Sequence, residues 1–293
     1  MGRGTRVLTG GLHFGEGPRW HEGRLWFSDF FAQAVMSVSL AGDLRTEVEI
    51  DDQPSGLGWA PDGSLLIVSM INRQILRRWP DGRMSVHADL GHIATFHCND
   101  MVVDAAGGAY VGNFGFDLTA EIAARGIADV VASHPTAKLA YVAPDGQTRI
   151  AAEDMHFPNG SVIAPDGKTL ILGETLAGVL TAFDIHPNGD LSNRRVWAPT
   201  SPAIPDGICL DAQGAIWIAN PSAPQCLRIA QGGEVLEIIE TDQSCYACML
   251  GGDDGRTLFM LTAASLDGGG SSEPGPAGKI LVAQVDSPRA GRP

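Results

Sequence analysis

Apolar runs of a few residues, separated by turns that end in glycine, recur along the chain, and six of them share one form. A short polar motif carrying Gly leads into an apolar strand, a turn closes on a marker glycine, and a second β-rich strand follows. Two units show the pattern: Pro18-Arg-Trp-His-Glu-Gly23-Arg-Leu-Trp-Phe-Ser and Leu57-Gly-Trp-Ala-Pro-Asp-Gly63-Ser-Leu-Leu-Ile-Val. The other four turns close at Gly107, Gly167, Gly214 and Gly255. The marker glycines are 40, 44, 60, 47 and 41 residues apart, the spacing of a repeat array with one insertion. In such turns Pro presets φ, Asp bonds back to the backbone, and Gly supplies the positive φ at which the chain reverses.

A second turn follows in most units, at Gly42, Gly82, Gly146, Gly189 and Gly233. Two hairpin turns per unit make a four-stranded meander, so the pattern predicts an all-β fold: one six-bladed β-propeller domain over residues 1–293 with four-stranded blades. A β-solenoid has shorter repeats, and a two-sheet sandwich does not repeat so regularly. The sixth unit passes through a Gly/Ser/Pro-rich stretch at 267–278, expected to be a flexible loop, into a strand at 279–285, and then lacks a final strand. The segment around Thr5–Thr9 is expected to fill that place as an N-terminal strand, closing the ring without an open edge. The insertion in the third unit, 118–138, carries Ile122, Ile127, Val130 and Val131 among alanines. It predicts a short helix, either a lid over the channel mouth or a helix on the blade's outer side.

Hydrophobic content of 44% with 18% charged residues fits a globular protein with a sizeable core. The net charge of −14 argues against nucleic acid or an anionic membrane as partner, since both require a positive surface. No apolar run has the length of a signal peptide or a membrane span, so a cytoplasmic protein is expected, monomeric or weakly self-associating. Cys98, Cys209, Cys226, Cys245 and Cys248 are an odd, scattered set that reads as reduced structural thiols, the Cys245-x-x-Cys248 spacing included.

The chemistry lies just before the inner strand of each unit, where propeller residues line the central channel. Eight positions before the marker glycine stand Ser55, Asn99, Asn159, Asp206 and Ala247, and Glu16 stands seven before Gly23. Carboxylate and amide oxygens converging on an axis suit a hard divalent cation. Pro-Asn-Gly and Pro-Asp-Gly are also ordinary turn peptides, and Pro-Asp-Gly serves hairpins at 61–63, 80–82, 144–146 and 165–167. The register separates Asn159 and Asp206 from those turns, because both start an inner strand.

These peptides resemble the regucalcin/gluconolactonase (senescence-marker-protein-like) family of six-bladed propeller lactonases. The likeness runs from about residue 12 to residue 285 and rests on Glu-Gly-Pro at 16–18, Asn-Asp at 99–100, Pro-Asn-Gly at 158–160 and Pro-Asp-Gly at 205–207. The resemblance implies one divalent ion (Ca, Mg, Mn or Zn) held by Glu16, Asn159 and Asp206. It also implies Asn99 as a residue that binds substrate or assists the metal, and Asp206 as general base. Two departures bear on the substrate. His97 stands where sugar-lactone members carry an arginine, and Asp117 stands where a substrate-contacting glutamate is expected, near Phe114 and Phe116. His97, Phe114, Phe116 and Asp117 are therefore candidate substrate contacts, in a pocket more apolar than a sugar requires.

The function expected is a metal-dependent hydrolase that opens a small-molecule lactone, with a sugar aldonolactonase, a propeller esterase or phosphotriesterase, and a non-catalytic metal-binding propeller as alternatives. A bound ion can polarise the ester carbonyl and activate water together. No G-x-S-x-G elbow occurs, which leaves Ser-His-Asp catalysis without its nucleophile.

Overall fold

The computed structural model describes residues 3–264 and 277–293. Six four-stranded antiparallel sheets follow one another along the chain. Their inner strands are Gly15–His21, Pro54–Trp59, Cys98–Val103, Pro158–Ile163, Ile208–Leu210 and Ser244–Gly251, and each touches its neighbours around a closed ring. The six-bladed propeller is the fold of this chain. Arg6–Leu12 pairs antiparallel with Gly278–Gln284 and completes the sixth blade, so the ring closes by joining the chain's two ends. Most of the 267–278 segment lies outside the described residues; Gly278 itself begins a strand.

The turn chemistry is what the repeat demands. All six marker glycines have positive φ, between 71° and 92°, and Asp62, Asp104, Asp166 and Asp254 each accept a bond from the backbone N–H two residues on. The core is divided among the seams between blades. One apolar cluster joins the fifth, sixth and first sheets around Trp217 and Phe259; others join second to third around Met101 and fourth to fifth around Ile216. Burial of each such side chain stabilises by about 1.5–3 kcal/mol, and it does so only when two blades are present. The seams therefore couple each blade to its neighbours.

Where blades meet at the axis, backbones come too close for side chains. A Cβ on Gly207 would lie 2.7 Å from Ala247 Cα and 2.9 Å from Ala247 Cβ. Gly207→Ala should therefore cost about 2–3 kcal/mol by overpacking. Gly167→Ala, at an open hairpin with φ of +72°, should cost about 1 kcal/mol for the left-handed backbone alone. Urea unfolding midpoints of the two variants check the order; equal losses would mean that the seam yields.

The insertion forms two helices, Leu118–Arg125 and Ile127–Ala132, joined at Gly126. Leu118, Ile122 and Val130 pack on Phe116, Phe157 and Leu176. Phe157 lies two residues before Asn159, so the helices pack on the loop that leads into that residue. At the opposite end, the C-terminal tail bridges Asp211 through Arg289 and Ile163 through Arg292, crossing beneath the fifth and fourth blades. No helix among the described residues is long and apolar enough to cross a membrane.

Candidate active site

The residues at the head of the channel owe their orientation to breaks in the inner ladder. Pairing between first and second strands shifts register between Glu16 and Arg19, Pro54 and Leu57, Cys98 and Met101, and Pro158 and Ser161. In the fifth blade regular pairing begins only at Ile208, after Asp206. Such bulges take residues out of the ladder and re-aim their side chains. Glu16, Asn99, Asn159 and Asp206 are all buried, 4–9% exposed, although each is polar.

Backbone geometry separates these peptides from turns. Gly63, Gly82, Gly146 and Gly167 of the hairpin Pro-Asp-Gly peptides all have positive φ, whereas Gly160 and Gly207 do not. Those two are glycine for a different reason: Gly160 abuts Asp206 O and Ile208 N, and Gly207 abuts Ala247. Asn159-Gly160 and Asp206-Gly207 are seams between blades.

The electrostatics of the channel are those of crowded acids. Burial, reinforced by the charges of Asp206 and Asp100, pushes the Glu16 carboxyl well above the usual range. Asp206 is pushed up by burial and by Asp100, with a hydrogen bond from Asn159 opposing. Burial also raises Asp100, against the pull of Arg19. The Arg19 guanidinium offsets part of this charge but gives its hydrogen bonds to the carbonyls of Pro18, Leu57 and Met101. Clustered buried carboxylates with one committed cation are poised for a further positive charge.

The donor set fits a hard divalent ion. The Asn159 amide nitrogen donates to Thr175 Oγ1 at 3.1 Å and to Asp206, which turns Oδ1 into the atom available to a cation. Ser55 Oγ, at the same level of the ring, is buried without a hydrogen-bond partner. Among the described residues no three His, Cys, Asp or Glu side chains are grouped as metal ligands, so a site here would combine two carboxylates with amide oxygen.

Residues 14–264 match the sequence model of the SMP-30/gluconolactonase/LRE-like region family. The chain belongs to this family. Regucalcin of Danio rerio is 25% identical over 258 residues, covering 85% of this chain and 82% of its own length. The pentonolactonase XacC of Haloferax volcanii is 27% identical over 281 residues, covering 92% and 88% respectively. A solved structure of the calcium-binding protein regucalcin from Agrobacterium tumefaciens superposes with a TM-score of 0.79 at 21% identity, over 99% of this chain and 97% of that one.

Above the ring, this family member places the sequence candidates unevenly. The His97 ring is half-buried and stacks on Phe96 at 4.1 Å, and burial lowers its pKa with Asp117 partly opposing. Phe114 is half-buried, 4.6 Å from Phe157 and 6.2 Å from His97. Phe116 is packed beneath the two helices. Asp117 is exposed and caps the first helix, its carboxylate accepting from Ala120 N at 2.9 Å. The second helix is tied to the loop before Phe157 by His134 Nε2, 3.0 Å from His156 Nδ1. All five cysteines are buried and free, with Cys209 Sγ 3.9 Å from Cys248 Sγ.

A supporting set escaped the sequence reading. Asp29, Glu174 and Asn220 are fully buried at the end of their second strands, and each accepts from backbone N–H groups two or three residues before a ring residue. His13 and Phe14 donate to Asp29, His156 donates to Glu174, and Ile204 donates to Asn220. These acceptors fix the approach to Glu16, Asn159 and Asp206. The signal was present, since they stand six or seven positions after the marker glycine.

Proposed function

We propose that this protein is a divalent-metal-dependent hydrolase of small-molecule lactones, working at the head of the channel. The observation that carries the reading is the convergence of two buried carboxylates with raised pKa, Glu16 and Asp206, with the Asn159 amide. The family gives it direction: one relative is named a pentonolactonase, another a 6-deoxy-6-sulfogluconolactonase, and a structural neighbour is a calcium-binding protein.

Glu16, Asn159 and Asp206 would hold the ion, which supplies the positive charge that polarises an ester carbonyl. Asn99 has the donor and acceptor needed to orient the carbonyl end of the substrate. Asp206, held by Asn159 beside the ion, accepts the proton of the attacking water, whose own acidity the ion raises. His97 sits where it can meet the ring substituents. A cytosolic, monomeric or weakly associating enzyme without nucleic-acid or membrane partner fits the reduced thiols and the charge of −14.

The test is acid release in a pH-stat from a panel of lactones offered to protein loaded with Ca²⁺, Mg²⁺, Mn²⁺ or Zn²⁺. Ring opening yields one proton per turnover at neutral pH. No release from any lactone with any ion would leave a metal-binding propeller without catalysis.

A further inference from the structure

The level above the ring is mostly apolar and aromatic, with Gln53 and His97 as its polar members. Two positions before the six ring residues stand Phe14, Gln53, His97, Phe157, Ile204 and Cys245. Two residues of strand span about 6–7 Å, so a ligand whose carbonyl reaches Asp206 carries its substituents at this height. The loops thicken this level into two aromatic arcs. On one side Phe14 meets Tyr246 at 4.6 Å, Phe30 at 5.3 Å and Phe31 at 6.3 Å. On the other, Phe114 meets Phe157 at 4.6 Å and Phe96 at 6.4 Å, and the two helices extend that wall through Phe116 and Val130.

Gln53 and His97 apart, the buried polar side chains at this end of the blades are engaged in the fold. Asp29, Glu174 and Asn220 hold the approaching backbone, and Asn113 donates to Lys138 O while accepting from Gly115 N. A polyhydroxylated ring desolvated here would leave hydroxyls without partners, which disfavours binding. An apolar substituent would instead bury its surface against half-exposed Phe31, Phe96 and Phe114.

We infer that the mouth selects lactones whose ring carries an aryl or alkyl substituent in place of hydroxyls, with Phe31 and Phe114 as specificity residues, one from each aromatic cluster. This rests on the lactonase reading above. Four δ-lactones with comparable alkoxide leaving groups separate the two: δ-valerolactone, its 5-phenyl and 5-pentyl derivatives, and glucono-δ-lactone. With the metal-loaded protein, kcat/KM is expected to be at least tenfold higher on the 5-phenyl and 5-pentyl compounds than on glucono-δ-lactone. Phe31→Ser and Phe114→Ser should each reduce that ratio at least threefold, and their half-buried positions keep the variants folded. Glucono-δ-lactone turned over as well as the substituted compounds, or a ratio unmoved by both variants, overturns the inference and leaves the lactonase reading standing. Failure to open any of the four, δ-valerolactone included, removes that reading and this inference together.

Discussion

Asp206→Asn will lower turnover on an accepted lactone by about 10³-fold, the scale of losing a positioned base, with the added loss of a charged metal ligand. The substitution keeps the shape of the side chain and an oxygen that can accept from Asn159. Glu16→Gln should fall in the same range. Stability should move the other way: burial raises both carboxyls, Asp206 and Asp100 add to it at Glu16, and Asp100 adds to it at Asp206, so neutralising either relieves repulsion in metal-free protein and should raise its Tm. Asp62→Ala removes the same residue type from an exposed hairpin turn, where it accepts from Ser64 N and Arg77. That variant should lose a little stability and keep its turnover within about twofold, as expected of a surface change remote from the channel. Kinetics and melting curves on the three variants decide the matter; equal losses of turnover at Asp206 and Asp62 would mean that both act through folding.

Removing the divalent ion should have an effect of similar size. An ion that binds only the folded protein, present at about a thousand times its Kd, contributes about 4 kcal/mol. For a domain of this length each kcal/mol moves Tm by about 2–4 °C, so chelation should lower Tm by roughly 8 °C or more while abolishing turnover. Differential scanning calorimetry with and without chelator reads the shift. In the Asp206→Asn protein the chelator should change Tm little, because the ligand set is already broken.

The blades were legible because hairpin turns leave a local signature. Each marker glycine that closes a repeat has the positive φ that only glycine adopts without strain, and the count back from it lands on Glu16, Asn99, Asn159 and Asp206. The helical insertion was legible from its composition, but its packing partners were not, because Phe116, Phe157 and Leu176 come together only when the third and fourth blades meet. Asp117 could have been read as a helix cap from its place just before Leu118. Asp100 and Arg19 were missed for a physical reason: the bulges at the channel head defeat simple strand alternation, so neighbours of a ring residue are buried as acids and bases too. The aromatic arcs draw on loops from four blades, and no period along the chain joins Phe31 to Tyr246 or Phe96 to Phe157.

We propose that a single ion held by Glu16, Asn159 and Asp206 makes the channel hydrolytic. Its most direct test titrates chelated, dialysed protein with Mn²⁺ while acid release from an accepted lactone is followed in the pH-stat and bound metal is measured by elemental analysis. Turnover should begin near zero, rise in proportion to bound metal and saturate at one ion per chain, with no rise in Asp206→Asn. Full turnover in protein shown to contain no metal would contradict the account.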